Sequence, residues 1–468
     1  MSSIPAAVVR RHRVRTGLVL STAAAAITAA ALLGPAPRSP RRAAPATALG
    51  ISAALPGHTI AAGRAETHLA IALTAPDAPA SRRSPASLAI VFDRSGSMRG
   101  EPLTQAKAAA LALIERLAPD DEVALVSYAD GATLDLPLTF ADEAGKARLR
   151  QAIAWLSAGG NTAMGAGLER GGLALSRAHH GVRRIVLLSD GKPTRSDGRP
   201  VSPEVARAEL VGQAGERAAA GVSVTAVGFG LEYDEALMAA IASAGRGNYY
   251  YAERGARLAE LFVDELASLG RTVIAESELR ITPAPGVALH DVLGYHFQRD
   301  AAGVVTVPVT DLTAGARQKV VLALRTDLAP GTDVAIATIA WRFRVVGGAA
   351  EERVAELRAR VSADAGAVAA SLAPAAVAMI EEARTAVAID AAAASYAEGD
   401  LTSARAILDL RAAEASAAAA KVGDRDLDAR LRGYTAEAER AFAAPPASPG
   451  AGKAAVKASR AGAYELAR

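Results

Sequence analysis

Leu88-Ala89-Ile90-Val91-Phe92-Asp93-Arg94-Ser95-Gly96-Ser97-Met98 is the stretch on which the reading of this chain turns. Its first five residues form a short, unbroken apolar run, the pattern of a strand buried on both faces. The chain then becomes polar at alternate positions. In extended backbone, residues i, i+2 and i+4 point the same way, so the Asp93 carboxylate and the Ser95 and Ser97 hydroxyls converge. Gly96 lets the backbone bend between them without a clash. All three groups are hard oxygen donors, suited to Mg²⁺, Ca²⁺ or Mn²⁺ and poorly suited to zinc or copper.

Outward from this stretch the strand pattern recurs. Helical periodicity over 103–117 leads to a strand at 122–128, a polar hairpin-like segment at 132–138 and a helix over 144–156. A Gly-Gly turn, a helix at 164–177, a strand at 184–189 and a helix at 203–220 follow. The series closes with strands at 222–229 and 248–251 and helices at 235–242 and 256–269. Strands alternating with helices predict a doubly wound, mostly parallel α/β domain over about residues 85–270. Ligands of such sheets gather outside the carboxyl ends of the strands, near a topological switch point. Two further oxygen donors stand where that rule would put them. Thr162 follows Gly159-Gly160-Asn161 at the opening of a helix, and Asp190 follows the apolar strand ending Leu187-Leu188-Ser189.

Asp93, Ser95, Ser97, Thr162 and Asp190 together resemble the metal-ion-dependent adhesion site of the von Willebrand factor type A family, whose pattern is Asp-x-Ser-x-Ser, a distant Thr and a distant Asp. The resemblance covers about two-fifths of the chain. It implies that the hydroxyls contact a divalent cation directly while the two carboxylates act largely through water. It also implies a cation that takes an Asp or Glu from a protein partner, and a helix after the last strand that can shift on engagement. The bland alternative, that Asp-x-Ser-x-Ser merely caps the next helix, leaves Thr162 and Asp190 without a purpose.

The flanks read differently. Short alternating strands divided by Pro, Gly and Asp turns predict an antiparallel β-sandwich over 272–362, to which the strand-like 68–73 within 50–84 adds a strand. The α/β domain is then an insertion. Residues 374–443 are Ala-rich and helical, with Asp400 as an N-cap. Residues 444–468 read as a Pro/Gly linker and a basic tail, solvated in the preferred reading and docked onto the sandwich in the alternative.

Residues 1–48 hold seven Arg and no acid, then an apolar run from Thr16 to Leu33 and a small-x-small site at 46–48. This is the layout of a secretory signal or an N-terminal membrane anchor, and it predicts an exported protein, with membrane contact only through that segment if uncleaved. Without it the chain has 45 basic and 49 acidic residues, a net charge of −4, which gives nucleic acid no electrostatic footing. The chain contains no cysteine, which excludes disulfides and thiolate chemistry.

Other candidates carry less. His179-His180 reads as a helix-end pair favoured by the dipole. Gly165-Ala-Gly167 lacks the spacing of a dinucleotide loop. Trp155 and Trp341 read as core, and Tyr249-Tyr250-Tyr251 as an edge strand. The expectation is a non-enzymatic extracytoplasmic binding or adhesion protein using Mg²⁺ or Ca²⁺ (with Mn²⁺ possible in the same donor set) to take a partner's acidic side chain. The competing expectation is a membrane-tethered scaffold whose helical tail makes the contacts. A metal-assisted hydrolase is disfavoured, because both carboxylates are committed to the cation.

Overall fold

A computed structural model describes residues 48–77, 83–194, 199 and 202–468; the N-terminal signal-like segment lies outside the described residues. Three strands open the described chain: β1 (Gly50–Ala54), β2 (Thr59–Ala61) and β3 (Gly63–Thr74). The α/β series then runs β4 (Ala86–Asp93), α1 (Glu101–Arg116), β5 (Glu122–Tyr128), β6 (Ala132–Phe140), α2 (Glu143–Trp155) and α3 (Met164–Ala174). It continues through β7 (Val182–Ser189), α4 (Pro203–Ala219), β8 (Ser223–Phe229), α5 (Glu235–Ala244), β9 (Arg246–Ala252) and α6 (Gly255–Gly270).

These strands form a six-stranded sheet in the order β6-β5-β4-β7-β8-β9, parallel except for the β5–β6 pair. Every residue of β4 is buried, as its unbroken apolar run requires. Leu88, Ile90 and Phe92 pack toward α1 and α6, while Ala89 and Val91 pack toward α3, α4 and α5. The chain leaves β4 on one side to make β5 and β6 and returns on the other to make β7. The switch point therefore lies between the carboxyl ends of β4 and β7.

A second region follows: β10 (Thr272–Pro283), β11 (Val287–Val292), β12 (Gln298–Arg299), β13 (Val305–Pro308), β14 (Leu312–Thr313), β15 (Arg317–Leu328), β16 (Gly331–Val345) and β17 (Ala350–Ser362). One sheet runs β1-β3-β15-β11, and the other β12-β13-β10-β16-β17-β2 with β14 beside β10. Leu69, Ile71 and Leu73 of β3 meet Leu279, Ile339 and Trp341 in the core between them. β3 pairs with β15 from Gly63–Leu328 to Thr74–Arg317, so strands on either side of the α/β domain share one sheet. At the junction, Ser84 N–H donates to Gly270 O at 3.0 Å.

The chain ends in α7 (Ala365–Ala369), α8 (Pro374–Ala397), α9 (Leu401–Val422), α10 (Arg425–Ala441) and α11 (Pro449–Ala467). Asp400 caps α9 as expected, accepting from Ser403 N–H. Residues 442–448 connect α10 to α11 without helix or strand, as part of the expected linker, but from Pro449 on the chain is helical and the solvated tail is not found. Ser448 caps α11, and Pro449 stands at its first turn. That helix docks: Lys457 Nζ donates to Tyr233 O (2.7 Å) and Glu235 (2.8 Å), Tyr464 hydroxyl donates to Gly247 O (3.0 Å), and Arg468 reaches Gly294 O (3.0 Å). Buried pairing to acids and carbonyls on α5 and β9 outweighs the solvation that the basic composition suggested. Trp341 is core, its Nε1–H donating to Ser277 Oγ at 2.8 Å, but Trp155 is 79% exposed. The histidine pair does not cap a helix either. The chain leaves helical geometry at Arg177, and His179 N–H donates to the buried Glu122 while His180 Nε2 meets Asp120 O. Among the described residues no helix is long and apolar enough to cross a membrane.

Candidate metal centre

All five expected oxygen donors stand on loops at the carboxyl edge of the six-stranded sheet. Asp93 is fully buried at the end of β4, and Ser95 nearly so in the turn that follows. Asp93 Oδ1 accepts from Ser95 N–H at 2.8 Å, which folds the turn back over the carboxylate. Ser95 Oγ and Ser97 Oγ are 3.0 Å apart, and Ser97 Oγ donates to Asp190 Oδ1 at 2.7 Å across 93 residues of sequence. Neither Ser95 nor Ser97 caps with its side chain: Ser95 precedes a single 3-10 turn at Gly96–Met98 without a side-chain cap hydrogen bond, and α1 begins after Gly100 with none. The capping alternative is therefore excluded.

Thr162 is brought in by a loop stitched to the first. Gly159 N–H donates to Arg94 O (2.8 Å), Gly96 N–H to Gly160 O (3.0 Å), and Thr162 N–H to Thr194 Oγ1 (2.9 Å). Gly160 has φ +79°, and a Cβ there would fall 2.5 Å from Asp130 Oδ2, so this turn needs glycine. The fit of the donors to a cation can be tested at Gly191. A Cβ on it would lie 3.4 Å from Ser97 Oγ and 3.6 Å from Thr162 Oγ1. The missing side chain keeps clear the space that both hydroxyls border. Among the described residues no group of three or more His, Asp or Glu gathers as metal ligands do. The candidate centre rests instead on hydroxyls backed by two carboxylates, a set of hard oxygens that fits a hard divalent cation.

The electrostatics agree. Burial raises Asp93 above the usual carboxylate range against the pull of its hydrogen bonds. Burial and the neighbouring Asp93 charge push Asp190 up to about 6, although the Ser97 hydroxyl opposes the shift. The groups that meet these two carboxylates are hydroxyls, an amide and each other. A dication there would relieve both desolvation and mutual repulsion.

The family model for the von Willebrand factor type A domain matches residues 87–264, the span that holds the loops 93–98, 159–162 and 189–191 and the sheet of order 3-2-1-4-5-6. Residues 87–264 form a von Willebrand factor type A domain. Type A domains commonly bind a divalent metal at a metal-ion-dependent adhesion site. The chain is similar to an uncharacterized protein of Synechocystis, sll0103, at 29% identity over 224 residues, 47% of this chain and 50% of that protein. It is also 29% identical to YfbK of Escherichia coli over 265 residues, 53% of this chain and 43% of that protein. The chain spans about half the length of the curated relatives it matches. Among solved structures, a von Willebrand factor type A protein from Catenulispora acidiphila aligns with TM-score 0.64 at 23% identity, covering 83% of this chain and 90% of that one. The ArnB paralog VWA2 of Sulfolobus acidocaldarius aligns with TM-score 0.56 at 15% identity, covering 88% and 98%. Both likenesses extend the shared fold well beyond the type A domain.

Two residues of the candidate centre escaped the sequence reading. Tyr128, fully buried at the end of β5, places its hydroxyl 2.8 Å from Leu188 O and 3.2 Å from Asp93 Oδ2. Ser189 Oγ donates to the same Asp93 oxygen at 2.8 Å. Together they tie Asp93 to the end of β7, the strand that delivers Asp190. Room for the ring comes from α3, where a Cβ on Gly167 would stand 2.7 Å from Tyr128 Cδ1. The available signal was register: a polar aromatic closing a buried strand directly beside Asp93.

Proposed function

We propose that the chain is a non-enzymatic binding protein working outside the cytoplasm, which recognises an Asp or Glu of a protein partner through a divalent cation. Ser95, Ser97 and Thr162 would hold Mg²⁺ or Ca²⁺, with Asp93 and Asp190 behind them. The cation would supply the positive charge to which the partner's carboxylate binds. The observation that carries this reading is the meeting of two raised, buried carboxylates with hydroxyls from two loops around a space left clear by Gly191. Both carboxylates are engaged by hydroxyls, so the site offers no spare general base for hydrolysis. The extracytoplasmic placement rests on the basic and apolar N-terminal sequence.

Calorimetric titration of Mg²⁺, Ca²⁺ and Mn²⁺ into residues 50–468 should give one equivalent bound, lost in Asp93→Ala. Equal binding by the variant would remove the reading.

A second reading, a scaffold whose helices make the contacts, is favoured by the exposure of Leu410 on α9 and Val387 on α8. Partner capture that survives chelator and Asp93→Ala would select it.

A further inference from the structure

We propose that Trp155 is the second contact of the metal face, and that this face fits an acidic protein segment with a large apolar side chain close to its metal-seeking acid. The inference rests on the metal-dependent reading above and specifies the partner it requires.

Trp155 is the last residue of α2, a helix that buries Gly145, Leu149 and Ile153. Two residues past Ile153 is about 200° round the helix, so the indole faces outward by helical phase rather than by fraying. Its position is held. Lys107 Nζ donates to Ala154 O at 2.9 Å, and Leu156 is buried with its N–H on Ile153 O at 3.2 Å. An indole 79% exposed on a fixed helix end contributes little to the fold. Tryptophan is, however, among the side chains that most often dominate binding energy.

The metal loops are close by. Gly159, four residues on, donates its N–H to Arg94 O within the Asp93–Ser97 turn. Even a fully extended chain keeps the Trp155 Cα within about 15 Å of the Gly159 Cα. A standard interface of about 800 Å² per partner is roughly 30 Å across, so one partner segment covers both. The charge of the partner follows from what surrounds the site. Arg99 and Lys192 are exposed two residues beyond Ser97 and Asp190; the exposed Asp130, which accepts from Asn161 N–H at 3.0 Å, offsets one of them, and a dication leaves this rim cationic.

The test is to pan the Mg²⁺-loaded chain against phage-displayed short linear peptides. Chelator-sensitive clones should carry an Asp or Glu with Phe, Trp, Leu or Met nearby. Their synthetic peptides should bind Trp155→Ala about 10- to 100-fold more weakly, with Mg²⁺ affinity unchanged. They should also shield the indole from iodide, which reads Trp155 alone because Trp341, the other tryptophan, is fully buried. Acid-bearing clones without apolar bias, or with equal affinity for the variant, would overturn this inference and leave the metal reading standing. The absence of any chelator-sensitive clone would overturn both. A Trp155 blue shift on phosphatidylglycerol vesicles in chelator, or self-association lost in Trp155→Ala, would assign the ring to a different occupant and likewise overturn it.

Discussion

Strand β7 carries a buried charge cluster near each of its ends, and the two are completed differently. Toward its start, Arg184 pairs with Glu265 of α6 at 2.6 Å and with Asp311 of the sandwich at 2.7 Å. Thr225, Asn248 and Tyr250 donate to the same Glu265 carboxylate. Burial pushes Glu265 up, yet Arg184 and these donors leave it below the usual glutamate range. Past its other end, Asp190 and the adjacent Asp93 are buried against hydroxyls and are raised instead. The lower cluster contains its own cation and serves as a joint between α6, β7 and the sandwich. The upper one meets hydroxyls and an amide instead, and under the proposed function would take its cation from solution. One strand therefore teaches how to tell a structural ion pair from a binding site: by whether the fold itself neutralises what it buries.

The comparison breaks hardest at Arg184. Arg184→Met strands two buried carboxylates and should cost about 3–5 kcal/mol in chemical denaturation; a loss under about 1 kcal/mol would mean the cluster is not a joint. The folded fraction should bind Mg²⁺ normally. At the upper end the reverse is expected. Asp190→Asn should weaken metal binding by at least about 100-fold while leaving metal-free stability equal or higher, because it removes a charge the apo fold disfavours.

Tyr128→Phe should weaken the metal by about 10-fold, since it removes only a positioning hydroxyl. Tyr295→Phe, which deletes a buried hydroxyl bonded to Lys319 O in the sandwich, should leave metal affinity alone. Equal effects of the two would reduce Tyr128 to packing.

The smallest effect is in pH. Asp190 titrates higher folded than unfolded, so metal-free protein should gain about 1 kcal/mol as pH falls from 7 through 6. Glu265 titrates lower folded than unfolded, so stability should fall again below about 4.5. Saturating Mg²⁺ should erase the first limb and keep the second. Thermal unfolding across pH, with and without the ion, reads both.

The sequence made the upper cluster legible and the lower one opaque, for a reason of range. Asp93, Ser95 and Ser97 share a local backbone alternation, and Thr162 and Asp190 stand at punctuated element ends, so short-range rules reach them. Arg184, Glu265 and Asp311 lie 81 and 127 residues apart and meet only through tertiary packing. Trp155 was misread by residue type where helical phase should have decided. The last helix was misread because its Ala, Gly and basic residues resemble a solvated tail; the Ser448-Pro449 start was the available signal, and Glu235, 222 residues from Lys457, the hidden partner.

The 3.0 Å hydrogen bond from Ser84 to Gly270 has a consequence of its own. The type A domain leaves and rejoins the sandwich at a single point, so it is mounted rather than threaded. A short turn replacing residues 84–270 closes a gap of one hydrogen bond, at a loop-closure cost that grows only slowly with its length. None of the β3–β15 pairing from Gly63–Leu328 to Thr74–Arg317 passes through the excised part. The inserted domain is exchangeable in its covalent connection: another domain whose termini lie equally close can be joined at the same point without touching the β3–β15 register, at the loss of the Arg184–Asp311 pair and of the contacts of α11 with α5.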